Sequence, residues 1–201
     1  MNGLMCLPTS LTALRLLLVP VLWWTVLGGY LWTAFGVFAV ACLSDVLDGF
    51  FARRFDCVSR FGAIFDPFVD KIFMLSMYAL MFVAPTMLSI PWWFLILMGL
   101  KELLLSLGAL YFGIVKKVIA VSAAIPGKIG GFVQGVFVLY WFVAVILGPR
   151  VFVVFGLGRG LWLLMWGMRL FYGLMVLSVV ANLAAFLFYL FTFFSQRTLN
   201  K

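Results

Sequence analysis

The sequence predicts an all-α, polytopic membrane protein with six transmembrane helices. Of its 201 residues, 67% are hydrophobic and only 10% are charged, and the mean hydropathy is +1.24. A soluble globular domain carries about 25% charged residues, so the composition excludes a water-soluble fold. A transmembrane helix needs ~20 apolar residues, and the loops that remain are too short for a further domain. Residues 1–201 are therefore predicted to form a single integral-membrane domain.

Turn-forming and charged residues divide the apolar sequence into the six predicted helices. These helices cover approximately 9–29, 32–53, 63–84, 91–112, 128–148 and 160–194. Glycine and tryptophan mark the turn between the first two, and Pro85, Pro91, Trp92 and Trp93 mark the turn between the third and fourth, as is typical of a membrane interface. The sixth helix is longer than a bilayer requires, and we expect it to project from the membrane.

The distribution of basic residues predicts the orientation in the membrane. Lysine and arginine occupy the loops between helices two and three and between helices four and five, and also the C-terminal tail, whereas the turns near 30 and 88 carry no charge. The positive-inside rule then makes both termini cytoplasmic. The net charge of +8 indicates contact with anionic headgroups and phosphates rather than with nucleic acid, because the chain has no soluble basic domain.

Acidic residues are concentrated in one short segment. The chain has six of them, and five lie between residues 45 and 70. Asp45 and Asp48 are spaced i, i+3, and Asp66 and Asp70 are spaced i, i+4, so each pair shares one face of a helix. A charge at membrane depth costs at least ~2.5 kcal/mol, and four like charges in one place must be neutralised. Hard divalent cations, which bind carboxylate oxygens, are the expected partners.

Cysteine and histidine usage excludes several kinds of chemistry. The three cysteines are not spaced as a C-x-x-C pair, so neither a disulfide framework nor a zinc site is predicted. The chain has no histidine, which excludes a serine–histidine or cysteine–histidine triad. A general base must then be a carboxylate, a lysine or water, and the aspartate cluster is the main candidate.

The aspartate segment also carries a family resemblance. From Asp45 to Asp70 it reads D-x2-D-G-x2-A-R-x8-G-x3-D-x3-D, and it resembles the complete signature of the CDP-alcohol phosphatidyltransferase family. Residues 59–71 are similar to the S-R-F-G-A-x2-D-P-x2-D-K form of bacterial phosphatidylglycerolphosphate synthases. Residues 8–20 resemble the family's first-helix segment P-N-x-L-T-x2-R-x4-P, with Thr9 in place of Asn. Weaker similarity to that subfamily covers residues 101–102 and 127–134.

The resemblance implies an activity and a set of site residues. It implies a multi-pass enzyme of the bacterial inner membrane, with a cytoplasmic active site, that transfers the phosphatidyl group of CDP-diacylglycerol to glycerol 3-phosphate and releases CMP. Two Mg²⁺ or Mn²⁺ ions would be held by Asp45, Asp48, Asp66 and Asp70. Asp70 would also accept the proton of the attacking hydroxyl. Contacts to the CDP-lipid would come from Pro8, Thr9, Ser10, Leu11, Gly49, Arg53, Ser59 and Gly62. The resemblance further implies a homodimer surrounded by membrane lipids.

The acceptor is the part of the function that the residues leave open. Glycerol 3-phosphate needs a cation for its phosphate, and the candidates are Lys101 and Lys128, followed by Arg15 and Arg169. Gly130 and Gly131 stand where bacterial phosphatidylglycerolphosphate synthases often have lysine and threonine. A cardiolipin synthase of the same fold, with phosphatidylglycerol as the acceptor, is therefore the first alternative, and an inositol-phosphate enzyme is another.

Other readings of the same residues also remain open. A carboxylate-lined cation transporter would use acidic residues at midplane on broken helices, usually within an internal repeat, and no repeat is visible here. Asp66 followed by Pro67 is also a common way to begin a helix, with aspartate as the N-cap. Gly49 and Gly62 are equally compatible with close helix packing in a membrane.

Overall fold

A computed structural model of the chain describes residues 7–55, 60–115 and 125–199, and it describes side-chain surroundings for most of 14–44, 68–106 and 127–191. Within these ranges the chain is helical apart from short turns, and no strand occurs. The helices are α1 (Leu7–Leu27), α2 (Leu31–Phe55), α3 (Arg60–Val83), α4 (Trp92–Val115) and α5 (Ile125–Leu199). They belong to two compact units, Met1–Val115 and Lys116–Lys201. The all-α prediction is confirmed.

A tight glycine turn joins α1 to α2. The Gly29 amide donates to the Val26 carbonyl at 3.1 Å, and the Tyr30 amide donates to the Thr25 carbonyl at 2.8 Å. This pair of hydrogen bonds is the Schellman motif that ends many helices, and its penultimate residue needs a positive φ. Gly29 supplies it with a φ of 78°, which glycine adopts without steric cost. The rings of Trp24 and Tyr30 pack together across the turn, with centroids 6.0 Å apart.

In the first unit, α1 packs against both α2 and α3, and α3 packs against α4. Trp23 on α1 donates from its indole nitrogen to the Ser76 hydroxyl on α3 at 2.7 Å. The rings of Tyr78 on α3 and Phe94 on α4 meet edge to face, with centroids 5.4 Å apart. These contacts place α3 between α1 and α4, so Ser76 and Tyr78 on α3 face neighbouring helices.

The second unit is a hairpin made from the two halves of α5. Gly156 interrupts the helix with a φ of 71° and a ψ of 175°, a combination available essentially to glycine alone. Across the hairpin, Tyr140 donates to the Gly167 carbonyl at 2.8 Å, and the rings of Phe137 and Phe171 lie 5.2 Å apart. Predicted helices five and six correspond to the two apolar segments Gly127–Val151 and Gly158–Phe191, and the break between them is shorter than the predicted 148–160 because the backbone leaves the helical conformation at Gly156.

The outer surfaces of the helices are apolar. Along α5, Val153, Trp162 and Phe191 are all well exposed. Two helical segments, Gly127–Val151 and Gly158–Phe191, are long and apolar enough to cross a membrane. So much exposed hydrocarbon is stable only where water is absent, which fits an integral membrane protein. The number of six crossings and the organisation as a single domain stay predictions.

Candidate active site

The two helices that carry the aspartate motif are α2 and α3. Asp45 and Asp48 lie in the last three turns of α2, and Asp66 and Asp70 lie in the first three turns of α3. Both segments are helical, so the backbone gives each pair the shared face that its spacing predicts. The two helices touch through stacked rings of Phe38 and Phe73, with centroids 6.2 Å apart.

Much of the predicted site lies outside the described side chains. Ser59 belongs to residues 56–59, whose structure is not described. The other predicted ligands with a described backbone but no described side-chain surroundings are Pro8, Thr9, Ser10, Leu11, Asp45, Asp48, Gly49, Arg53, Gly62 and Asp66. The metal cluster and the CDP-lipid contacts therefore stay predictions. The alternative in which Asp66 caps a helix is wrong, because α3 begins at Arg60, more than one turn earlier.

Asp70 is the motif aspartate whose side chain is described, and Arg15 holds it. The Arg15 guanidinium donates from Nη1 to Oδ1 of Asp70. The Arg15 side chain is 2% exposed, whereas the Asp70 side chain is 50% exposed. A guanidinium fixes a carboxylate through a charge-assisted hydrogen bond. Asp70 is thus anchored from the buried side of α3 and remains accessible on the other side.

This arrangement is compatible with the divalent cations that the motif predicts. Hard cations are bound by carboxylate oxygens, and Arg15 engages Oδ1 of Asp70, which leaves Oδ2 as the oxygen that can coordinate an ion. The Asp70 side chain as a whole is half exposed, as an ion or a substrate would require to reach it. Asp70 also lies about 15 Å along the helix axis from Arg60, where α3 begins, at a rise of 1.5 Å per residue.

A second ionic cluster joins α3 to α4, one residue further along α3. Lys101 Nζ lies 2.6 Å from Glu102 Oε1, and Lys71 Nζ lies 3.9 Å from Glu102 Oε2. The Lys101 side chain is 8% exposed, the Glu102 side chain 10% and the Lys71 side chain 25%. Lys101, which the sequence offers as an acceptor ligand, is therefore engaged inside the helix pair, and its role in acceptor binding stays a prediction.

Lys128 and its glycine neighbours belong to the second unit. Lys128 is exposed in the first turns of α5. Gly130 is buried, and a Cβ atom added there would lie 3.1 Å from Oδ1 of Asn182. A side chain at position 130 would therefore require the buried Asn182 to shift slightly, so glycine is the residue that fits this packing without adjustment. The exposed Arg169 stacks on the Trp166 ring at 5.2 Å.

Two features of the site were not predicted from the sequence. One is the pairing of Arg15 with Asp70, and the other is the position of Lys71 beside Glu102. Both had a weak signal, since a basic side chain within an apolar helix commonly pairs with a carboxylate and the chain has only six acidic residues. The interhelical distances that select one partner over another are absent from a single sequence.

Comparison with known proteins gives a family and relatives for this chain. The family model described as CDP-alcohol phosphatidyltransferase matches residues 5–180. A protein of Mycobacterium tuberculosis (strain CDC 1551 / Oshkosh) named "Probable phosphatidylglycerophosphate synthase" is 33% identical over 150 residues, which cover 71% of this chain and 68% of the relative. A protein of Escherichia coli (strain K12) named "CDP-diacylglycerol--glycerol-3-phosphate 3-phosphatidyltransferase" is 43% identical over 72 residues, which cover 33% of this chain and 38% of the relative.

The resemblance found in the aspartate segment is therefore confirmed over most of the chain. A match of this extent excludes the cation transporter, because the family is one of transferases. The chain belongs to the CDP-alcohol phosphatidyltransferase family.

Proposed function

We propose that this enzyme transfers the phosphatidyl group of CDP-diacylglycerol to glycerol 3-phosphate and releases CMP. The observation that carries the proposal is the accessible Asp70 carboxylate, which closes the family signature and is anchored by the buried Arg15. Relatives named for the same reaction support the choice of glycerol 3-phosphate as the acceptor.

Asp70, Arg15 and Arg53 would have separate roles in this reaction. The acceptor hydroxyl oxygen bonds to the phosphorus that carries diacylglycerol, the bond from that phosphorus to the CMP oxygen breaks, and the hydroxyl proton passes to Asp70. Arg15 keeps the carboxylate oriented towards the hydroxyl. Arg53 would bind the donor phosphates bidentately.

The proposed metal site consists of the four motif aspartates. Asp45, Asp48, Asp66 and Asp70 would hold two Mg²⁺ or Mn²⁺ ions, since hard oxygen ligands favour these cations. When bound, the ions would supply the positive charge that stabilises the attacking and leaving oxygens during in-line displacement at phosphorus.

The membrane arrangement completes the proposal. With α5 counted as two spans, the helices give six crossings, and the basic loops then set both termini and the active site on the cytoplasmic side. The enzyme would act as a homodimer among membrane lipids.

A cardiolipin synthase that uses phosphatidylglycerol is the second candidate. Gly130 favours it, because a residue of the subfamily's acceptor segment is replaced by a buried glycine packed against Asn182. The two candidates share the donor and differ in the acceptor, so they can be separated directly.

The deciding experiment supplies purified protein and Mg²⁺ with radiolabelled CDP-diacylglycerol and one acceptor at a time. The acceptors are glycerol 3-phosphate, glycerol, phosphatidylglycerol and inositol phosphate, and labelled lipid products are separated by chromatography. We expect phosphatidylglycerolphosphate to form with glycerol 3-phosphate and little product to form with the others. Consumption of phosphatidylglycerol, with glycerol 3-phosphate ignored, would replace this proposal with the cardiolipin synthase.

A further inference from the structure

A cleft in the second unit lies beside the Gly156 kink. Its volume is about 420 Å³, within the range of about 300–1,000 Å³ that small-molecule sites occupy. A Cβ atom added at Gly158 would meet nothing within 4 Å, so the space next to this glycine is open to a ligand. The residues that line the cleft are Phe155, Gly158, Arg159, Trp162 and Leu163.

The lining combines a cation with exposed apolar side chains. The Arg159 side chain is exposed, and so are those of Phe155 and Trp162. A charge in apolar surroundings is costly unless an opposite charge lies near it. Residues 116–201 contain no acidic residue, so the second unit has no carboxylate that could pair with Arg159. The cleft therefore favours a ligand that brings its own negative charge.

An aromatic surface continues from the cleft along the same face of α5. Arg159, Trp162 and Trp166 are spaced i, i+3 and i+7, so they share one face of the helix. Both tryptophans are exposed, and their ring centroids lie 5.7 Å apart. The Arg169 guanidinium covers the Trp166 ring at 5.2 Å. Between Arg159 and Trp166 the face offers about 10 Å of aromatic surface to a hydrocarbon chain, at 1.5 Å per residue.

The charge of the second unit decides between a protein and a lipid as the occupant. Residues 116–201 carry eight basic residues and no acidic one, so a second copy of this unit would bring like charges together, which is unfavourable at an interface. An anionic phospholipid matches both parts of the surface. Its phosphate suits a guanidinium, which can bind it through two hydrogen bonds, and its acyl chains suit the exposed rings.

We propose that this cleft binds one anionic phospholipid, with the lipid phosphate on Arg159 and an acyl chain along Trp162 and Trp166. Basic pockets on membrane helices bind lipid headgroups by the same combination of charge and apolar contact. The inference does not rest on the proposed function, because the transfer reaction uses none of these residues.

Native mass spectrometry of the delipidated full-length protein in detergent tests the inference. The protein is titrated with dioleoylphosphatidylglycerol and, in parallel, with dioleoylphosphatidylcholine, which has the same chains and no net charge. We expect wild-type protein to bind one phosphatidylglycerol about tenfold more tightly than phosphatidylcholine, and Arg159→Gln to lose this preference, as expected for loss of a charge-assisted hydrogen bond. Arg159→Lys keeps the charge and should retain part of the preference.

Two further variants separate a built site from attraction by overall charge. Gly158→Leu keeps Arg159 but places a side chain in the open space of the cleft, and it should weaken phosphatidylglycerol binding about as much as Arg159→Gln. Lys128→Gln removes another exposed cation of the second unit and is the matched control, which should bind the lipid as the wild type does. Lipid bound elsewhere on the protein stays the same in every variant, so the differences isolate the cleft.

Three outcomes would overturn the inference. Wild-type affinity for phosphatidylglycerol in both Arg159→Gln and Gly158→Leu would show that the cleft is not a lipid site. An equal loss of affinity in Lys128→Gln would assign the binding to overall charge. If Gly158→Leu changes the number of chains per particle, measured by light scattering, while lipid binding is retained, the cleft is a contact between copies of the protein.

Discussion

The two units of the molecule use charge in opposite ways. Residues 1–115 contain all six acidic residues and six of the fourteen basic ones, whereas residues 116–201 contain eight basic residues and no acidic residue. The formal charge of +8 therefore resides in the second unit, and the first is balanced. In the first unit, Arg15, Lys101 and Glu102 are buried in ion pairs.

The second unit keeps its described cations at the surface. Lys128, Arg150, Arg159 and Arg169 are all exposed. The buried polar side chains described there are uncharged, and they are Gln134, Ser178 and Asn182. Exposed arginine and lysine at helix ends anchor a protein in a membrane, whereas buried ion pairs require matched partners. The difference is consistent with our proposal that the chemistry takes place in the first unit and that most cations of the second unit hold the protein in its membrane.

The comparison predicts that substitution of Asp70 causes the largest loss of activity. Asp70→Asn keeps the size of the side chain and its hydrogen bond to Arg15, but an amide cannot accept the hydroxyl proton. We expect kcat to fall about 10²- to 10⁴-fold, the usual cost of losing a general base, while the protein still folds and binds CDP-diacylglycerol. Near wild-type kcat in this variant would show that the base lies elsewhere.

Substitution of Arg15 should cause the next largest loss of activity, because Arg15 orients Asp70. Removing a partner that orients a catalytic carboxylate typically costs about 10- to 100-fold in activity, and we expect Arg15→Gln to reduce kcat by this amount. The double variant Arg15→Gln/Asp70→Asn should be no slower than Asp70→Asn alone, because residues that act as a unit are not additive. If the losses of activity in the two single variants multiply in the double variant, Arg15 does not act through Asp70.

Lys128 is the cation of the second unit for which we expect a role in binding. Lys128→Ala should raise the KM for glycerol 3-phosphate about tenfold, the lower end of the range for a charge-assisted hydrogen bond, because the side chain is exposed to solvent. The KM for CDP-diacylglycerol should not change. Equal effects on both substrates would instead indicate a general role of Lys128 in the membrane.

The smallest effect is expected at Arg159. This exposed residue beside the Gly156 kink has no predicted partner in the reaction, and surface substitutions usually change stability by less than about 0.5 kcal/mol. Arg159→Gln should leave kcat and both KM values as in the wild type. A loss of activity comparable to that of Arg15→Gln would remove the contrast between the two units.

The sequence was sufficient to predict the helices and the family, for identifiable reasons. Apolar segments bounded by glycine, proline and charge predicted all of α1 to α4 to within a few residues, and the spacing of the aspartates predicted the signature. The break predicted between 148 and 160 is longer than the observed one, because only Gly156 leaves the helical conformation there. A sequence shows where a helix can end, but tertiary packing decides whether it does.

The partners of the buried charges could not be predicted in the same way. Arg15 and Asp70 are separated by 55 positions, and nothing in their spacing relates them. Lys101 was predicted as an acceptor ligand from its charge alone, whereas the structure pairs it with its neighbour Glu102. Ion pairs between helices depend on rotation and depth, which composition and periodicity do not specify.

The measurement that tests the central claim most directly is a count of bound Mn²⁺ on purified protein by electron paramagnetic resonance. The account predicts two ions per chain in the wild type and in Arg159→Gln, and loss of this binding in Asp45→Asn and Asp66→Asn. EDTA should abolish turnover, and added Mg²⁺ should restore it. Full turnover in excess EDTA, with no tightly held metal on the protein, would contradict the claim that the acidic first unit carries a two-metal site.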